Sequence, residues 1–278
     1  MIRLLRAGAR WAAHHKVKAL LAAAGVFLSV QVLTLPWLDI PRLKAGRPAQ
    51  TALMEQRMEE ARESGRELRI RTTWMPLARI PRHVRDAVVV AEDGTFYTHR
   101  GFDWYEVHQS LEENLKEGRR LRGASTITQQ LAKNLYLSTS RNPLRKLREA
   151  AITLLLEHHL SKNRILELYL NTIEWGPGVF GLEAAARTYF GTSASRLTVE
   201  QGARLAAVIP RPLRVRPDGN SRYLMRRTRI VLRRMAARGM EPPPDAPSEE
   251  GASGAVTDAA RESAADTVLK TEEQSDGL

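Results

Sequence analysis

The sequence predicts a mainly α-helical fold behind an N-terminal transmembrane helix. Residues 17–38 form an apolar run whose only charge is Lys18. About 20 helical residues, at roughly 1.5 Å each, cross a bilayer core of roughly 30 Å. Beyond this run, apolar residues recur at helical spacing between capping and breaking residues as far as Gly239. We expect helices to begin near Pro81, Asp103, Thr126, Pro143, Lys162, Phe180, Thr198 and Ser221.

Basic residues before the apolar run predict its orientation. Residues 1–16 contain four lysines or arginines, and this positive bias predicts a cytoplasmic N-terminus with the rest of the chain outside. A cleaved signal peptide is the alternative, because small residues interrupt the run. The run is longer than the roughly 7 to 15 residues of a signal core, and Trp37 lies where an interfacial aromatic residue belongs. We therefore expect an uncleaved anchor at 17–38.

Four further segments complete the predicted organisation. Residues 39–71 are expected to form a stalk and entry segment with a short amphipathic helix near 51–64. Residues 72–240 form the main helical domain. Residues 241–278 are rich in Pro, Ala, Ser and acids, so we expect a disordered acidic tail.

The uneven charge of the chain indicates which classes of partner it can bind. The formal net charge is +12, but residues 241–278 hold ten acids and two basic residues, which leaves about +20 on the first 240. Such a field favours nucleic acid, anionic lipid or a pyrophosphate substrate. The chain has no cysteine, which excludes disulfides and thiol nucleophiles. It also has no Walker loop, dinucleotide glycine fingerprint or His-Glu-x-x-His motif, so nucleotide and metalloprotease functions lack support.

The segment AEDGTFYTHRGFDW, residues 91–104, places two acids at the end of a predicted helix. There the helix macrodipole and the neighbouring Asp93 disfavour ionisation, which makes Glu92 a stronger proton acceptor. A solvated turn is the alternative reading of two acids at a helix end. The aromatic residues that follow favour the wall of a cleft. We hypothesise that Glu92 is a general base.

A second candidate element is the helix predicted from Thr126, where Thr126 and Gln129 fit a capping box. Apolar residues recur every fourth position from Ile127 and define its buried face. Ser125, Gln129 and Lys133 lie on the opposite face, together with the N–H groups of the first turn. That face has the donors needed to hold a phosphate. An ordinary capped amphipathic helix is the alternative.

A cluster of cations follows this helix. Arg141, Arg145, Lys146 and Arg148 surround a single acid, Glu149, in sequence. Four cations around one acid can neutralise a diphosphate, directly or around a metal ion. The alternative is a solvated or lipid-facing charged patch in which Glu149 pairs with Arg145.

Three segments in order resemble the motifs of family 51 glycosyltransferases, the peptidoglycan glycosyltransferases. They are Glu92-Asp93-x-x-Phe96-x-x-His99-x-Gly101, then GASTITQQ at residues 123–130, then Arg145-Lys146-x-x-Glu149. Residues 161–191 are similar to the remaining motifs, and the likeness covers about residues 72–240. Only the acidic tail follows, as in the monofunctional members, which have one membrane anchor and no transpeptidase domain.

The resemblance implies a lysozyme-like, two-lobed fold with a cleft, and an inverting reaction that polymerises lipid II into β-1,4 glycan with release of undecaprenyl pyrophosphate. It implies that Glu92 is the base and Glu149 a second essential acid. The positions that match donor-phosphate residues are Lys133, Arg141, Arg145 and Arg148. The positions that match neighbouring cleft residues are Ser125, Gln129 and Gln130.

The same resemblance sets expectations for partners and location. The implied partners are lipid II, the growing lipid-linked glycan, the bacterial inner membrane and other cell-wall synthases, with no nucleic acid. A magnesium or manganese ion is optional, and no metal motif is visible in the sequence. The catalytic domain would be periplasmic and the N-terminus cytoplasmic.

The chain departs from the family pattern at two places, and two other functions stay open. Gln109 stands near a position where many relatives have a cation, and Glu174 and Trp175 stand where an arginine often precedes the glycine loop. A lytic enzyme that cleaves the glycan is one alternative, although it would have little use for the cation cluster. The other is a membrane-tethered protein that binds anionic lipid or nucleic acid, for which the seven arginines of residues 221–239 provide a basic, membrane-facing helix.

Overall fold

A computed structural model describes residues 2–116, 125–137, 139 and 142–239. The predicted tail at 241–278, Gly123, Ala124 and Arg141 lie outside these residues. The helices are α1 (Ile2–Leu33), α2 (Asp39–Arg42), α3 (Ala52–Glu63), α4 (Arg82–Glu92), α5 (Trp104–Lys116), α6 (Ile127–Tyr136), α7 (Pro143–His159), α8 (Lys162–Thr172), α9 (Leu182–Phe190), α10 (Val199–Val208) and α11 (Arg222–Ala236).

The described part of the chain is mainly helical, as predicted. Each predicted helix start lies within two residues of an observed one. The caps explain this agreement, because capping side chains satisfy backbone donors that a helix leaves without partners. Thr126 and Thr198 form complete capping boxes with Gln129 and Gln201, and the hydroxyl of Ser221 accepts from the backbone N–H of Leu224.

A small three-stranded sheet lies beside the helices. Its strands are β1 (Arg71–Thr72), β2 (Glu174–Gly176) and β3 (Val179–Phe180), in the order β1-β3-β2. β1 is parallel to β3, and β2 is antiparallel to it. This sheet holds Glu174 at the end of α8, next to α3.

The core is formed where α4, α10 and α11 meet, and where α6 packs on α7 and α8. Gly202 permits the close approach of α10 to α4, since a Cβ there would lie 3.3 Å from the Cα of Val84. Ile127 and Leu131 are fully buried on the predicted face of α6, and truncating such a side chain costs about 2 to 5 kcal/mol. This packing fixes α4, α6 and α11 relative to one another.

The N-terminal region begins as one helix and continues into the core. α1 includes residues 17–33 of the predicted anchor and ends at Leu33, five residues before the predicted end of the anchor. Among the residues described, no helix combines the length and the apolar content needed to cross a membrane. After α1, Ile40 and Leu43 are buried in the same core cluster as α4 and α6. The predicted domain boundary at residue 72 stays a prediction.

Candidate active site

Glu92 is the last residue of α4, and its side chain is 9% exposed. The side-chain amide of Gln130 on α6 donates a hydrogen bond to Oε2 of Glu92 at 2.9 Å. Nη2 of Arg227 on α11 lies 3.7 Å from Oε1. Three helices therefore converge on this carboxylate, with a neutral donor on one oxygen and a positive charge near the other.

A tyrosine fixes which way the amide of Gln130 faces. The hydroxyl of Tyr169, a fully buried residue on α8, donates to Oε1 of Gln130 at 2.8 Å. An amide that accepts with its oxygen presents its nitrogen on the other side, which is the side that meets Glu92. Burial raises the pKa of Tyr169 well above its usual value, and Glu92 and Asp93 raise it further. The phenol thus remains a donor at every pH at which the protein functions.

The second acid of the opening motif braces the two helices that carry Glu92 and Gln130. Asp93 is buried, and its Oδ2 accepts from the backbone N–H of Ile127, at the start of α6, at 2.9 Å. Oδ1 lies 2.9 Å from Nε2 of His99, whose Nδ1 accepts from the backbone N–H of Gly101. Nε2 therefore carries the ring hydrogen and donates to Asp93. An anion at a helix N-terminus is also favoured by the macrodipole.

Gly101 allows the loop between α4 and α5 to pass close to α7. Its φ is +90°, and a Cβ at this position would lie 2.8 Å from Cγ2 of Thr153. The carbonyl of Gly101 accepts from the hydroxyl of Thr126 at 2.7 Å. The motif residues after Glu92 thus hold the loop against α6 and α7.

Glu149 lies in the first half of α7 and is 3% exposed. Nη1 of Arg145 donates to its Oε2 at 2.7 Å, and Nζ of Lys146 donates to its Oε1. Each oxygen therefore has a cationic partner. The carboxylate holds two positive side chains side by side within the first two turns of the helix.

Lys133 links the two acidic centres. Burial lowers the pKa of Lys133 from its usual 10.5, Arg145 and Lys146 lower it further, and Glu149 and Glu92 oppose the change. Its ammonium group therefore interacts with both carboxylates. The donor-phosphate role that the resemblance implied for Lys133 stays a prediction.

A cavity of about 200 Å³ opens beside Gln130 and Lys133. Its far wall carries Arg57 from α3 and Glu174 from β2, joined by an ion pair of 2.8 Å between Nε and Oε2. Burial raises the pKa of Glu174 even though Arg57 opposes the change.

The remaining predicted substrate residues differ in their surroundings. Ser125 is exposed directly before the cap of α6. Gln129 is 5% exposed, and its Oε1 accepts from the backbone N–H of Thr126, so the cap uses the side chain that we expected in the cleft. Arg148 is held at the end of α1, where Nη1 lies 2.8 Å from the hydroxyl of Thr34. Its contacts give no support to a phosphate role.

Sequence reasoning missed three residues of this site. Arg227 was one of seven arginines in a helix expected to face a membrane, but it is 8% exposed and reaches Glu92. It lies three residues after Leu224 and four before Val231, both buried, and this helical spacing was the available signal. Tyr169 and Arg57 had no comparable signal, because their partners lie far away in the sequence.

Comparison with known proteins identifies the class of enzyme. A family model described as Transglycosylase matches residues 59–236. This match identifies the mainly helical domain as that of a glycosyltransferase.

Curated relatives make the class more specific. Proteins named biosynthetic peptidoglycan transglycosylase are 50% identical over 190 residues in Nitrosospira multiformis, covering 68% of this chain and 83% of the relative. In Dechloromonas aromatica the identity is 46%, covering 78% of this chain and 94% of the relative. In Chromobacterium violaceum the identity is 44%, covering 80% of this chain and 95% of the relative. The chain belongs to the transglycosylase family and is a peptidoglycan glycosyltransferase.

Proposed function

We propose that the chain polymerises lipid II by an inverting transfer in which Glu92 is the general base. Glu92 takes the proton of the 4-hydroxyl of the acceptor's N-acetylglucosamine. The oxygen attacks the anomeric carbon of N-acetylmuramic acid at the end of the growing chain, and the bond to the diphosphate oxygen breaks. Undecaprenyl pyrophosphate leaves with the bonding electrons, and a β-1,4 link forms.

The single observation that carries this proposal is that Lys133 lines the cavity beside Gln130, the residue that donates to Glu92, and that its charge also interacts with Glu149. A transfer of this kind needs a base for the attacking hydroxyl and positive charge for the departing diphosphate. Glu92, hydrogen-bonded to a neutral amide, supplies the first. Lys133, together with Arg145 and Lys146, supplies the second.

Glu149 has a different task in this scheme. Because both of its oxygens are engaged by cations, it is not arranged to accept a proton from substrate. We infer that it holds Arg145 and Lys146 in the orientation that a diphosphate requires. The additional cation predicted at Arg141 would complete this cluster.

No step of the scheme passes through a metal ion. Within the described residues, no three His, Cys, Asp or Glu side chains are gathered as ligands. Glu149 already has two cationic partners, and a bound dication would have to displace them. The two cationic partners of Glu149 therefore do not fit a magnesium or manganese ion bound to that carboxylate.

We also propose that residues 17–38 anchor the enzyme in the bacterial inner membrane, with the catalytic domain on the periplasmic side and lipid-linked substrates as neighbours. The support is the exposure of large apolar side chains along α1. Leu20, Leu21, Val26, Phe27 and Leu28 are each at least 50% exposed. Lysines and arginines cluster before the run, in agreement with the positive-inside rule.

Polymerisation of labelled lipid II by the purified full-length protein tests the function. We expect Glu92→Gln to lower the rate about 10²- to 10⁴-fold, the usual effect of a general base, and Glu149→Gln to lower it by a similar factor. Glu55→Gln, at an exposed position in the first turn of α3, is the matched control and should polymerise normally.

The same assay separates the alternative functions. Normal polymerisation by both Glu92→Gln and Glu149→Gln would rule out the assigned roles. Cleavage of finished glycan without any polymerisation by the wild type would favour the lytic enzyme. Binding of anionic vesicles without turnover of either substrate would favour the tethered binding protein.

A further inference from the structure

The guanidinium of Arg148 forms hydrogen bonds with residues at the C-terminal end of α1. Nη1 donates to the carbonyl and to the side-chain oxygen of Gln31, each at 3.0 Å, and lies 2.8 Å from the hydroxyl oxygen of Thr34. Nη2 donates to the carbonyl of Thr34 at 3.1 Å. One arginine on α7 thus meets four acceptors on a segment more than a hundred residues earlier in the chain.

These contacts have a clear physical basis. The last four carbonyl groups of an α-helix have no partner within the helix, and the macrodipole makes this end negative. The indole N–H of Trp37 satisfies the carbonyl of Val32 at 2.7 Å. Arg148 satisfies that of Gln31 and adds the positive charge that a helix C-terminus favours.

Other contacts hold the same segment on the catalytic domain. Leu35 packs against the core, and Ile40 and Leu43 are buried within it. α2 contacts α7. The chain from Leu35 to Leu43 is therefore docked, and Arg148 is the side chain that extends this docking to α1 itself.

We propose that Arg148 is a positioning residue that fixes α1 on α7, the helix that carries Glu149, and so sets how the cleft is presented to lipid-linked substrate. This inference rests on the proposed membrane anchor and substrate. Arg148 directly precedes Glu149, and successive residues of a helix point about 100° apart. Glu149 therefore binds the cations proposed for the diphosphate, while Arg148, the residue before it, binds the end of α1.

The absence of cysteine from the chain allows a direct measurement of the geometry. Spin labels on cysteines introduced at Val26 of α1 and Leu154 of α7, which are 65% and 56% exposed, report the distance between the two helices in the full-length protein. We expect one narrow distribution in the wild type and a distribution at least about twofold wider in Arg148→Ala. An unchanged width would overturn the proposal. Arg196→Ala, at an exposed position, is the control that should leave the width unchanged.

A double-mutant cycle separates this role from a phosphate role. With lipid II in vesicles, we expect Arg148→Ala to lower kcat/KM about tenfold in the wild-type background. In Thr34→Val/Gln31→Leu, which lacks two of the four acceptors, the same substitution should cost about threefold or less. An equal loss in both backgrounds would overturn the proposal and assign Arg148 to the diphosphate.

Failure of the proposed membrane anchor can be distinguished from failure of the proposed Arg148 contact. Release of the wild type from vesicles by an alkaline carbonate wash would contradict the membrane anchor. The label distances can be measured in detergent as well, where they depend only on the contact between Arg148 and the end of α1. A narrow distribution that widens in Arg148→Ala would then still support the positioning of α1 on α7.

Discussion

The two acidic centres differ in the kind of partner that meets each carboxylate. One oxygen of Glu92 accepts from the neutral amide of Gln130, and Nη2 of Arg227 lies 3.7 Å from the other. Glu149 is bonded directly by Arg145 and Lys146. Both side chains are largely buried, so exposure does not distinguish them. Their partners do.

The difference shows how one site can use two glutamates for unlike tasks. A carboxylate oxygen that meets a neutral amide is held less strongly than one that is ion-paired, because charge-assisted hydrogen bonds are roughly twice as strong as neutral ones. The first arrangement suits proton transfer, and the second suits the storage of positive charge for a diphosphate. The charge of Lys133 interacts with both Glu92 and Glu149, so this residue affects both tasks.

Among the residues around the two carboxylates, the largest effect is expected from Lys133. Lys133→Ala should lower kcat/KM for lipid II about 10²- to 10³-fold, since a charge that stabilises the departing group is lost. Burial lowers the pKa of Lys133 from 10.5, so the wild-type rate should fall as pH rises through this lowered pKa, before 10.5 is reached. A guanidinium stays charged above pH 12, and Lys133→Arg should therefore retain its rate at alkaline pH. Equal alkaline losses in wild type and Lys133→Arg would contradict this assignment.

A smaller effect is expected from Arg227, whose Nη2 lies 3.7 Å from Oε1 of Glu92. Arg227→Ala should lower polymerisation near neutral pH roughly tenfold and move the acidic limb of its rate profile to higher pH, because the carboxylate of Glu92 loses a nearby positive charge. Arg229→Ala changes an exposed arginine of the same helix and should leave the profile unchanged. If both variants gave the same profile, Arg227 would have no effect on the base.

The helices and their order could be predicted from the sequence because their signals are local. Caps such as Thr126 with Gln129, and Ser221 with Leu224, involve residues three apart. The spacing of Ile127 and Leu131 likewise identifies a buried face without knowledge of what covers it. The motifs around Glu92 and Glu149 could be found for the same reason.

The pairing of side chains across helices could not be predicted in this way. Arg227 and Glu92 meet because α11 and α4 pack side by side, and nothing near either residue specifies the other. Lys146 and Arg148 are cations two residues apart with similar surroundings in sequence, yet Arg148 is bonded to Thr34 and Lys146 to Glu149. Which cation serves which partner is decided by helix rotation and by tertiary packing.

The smallest effect is expected from Tyr169. It tests the contribution of the Gln130 amide, the neutral donor to Glu92. Tyr169→Phe removes the hydroxyl that fixes the amide of Gln130, at a cost of about 0.5 to 1.5 kcal/mol. The amide can then turn its oxygen toward Glu92, where two acceptors repel each other, so polymerisation should fall about three- to tenfold. Tyr136→Phe removes a hydroxyl whose own pKa is raised by burial but which does not bond Gln130, and it should leave the rate unchanged. An unaffected rate in Tyr169→Phe would mean that the orientation of the Gln130 amide contributes nothing to the role of Glu92.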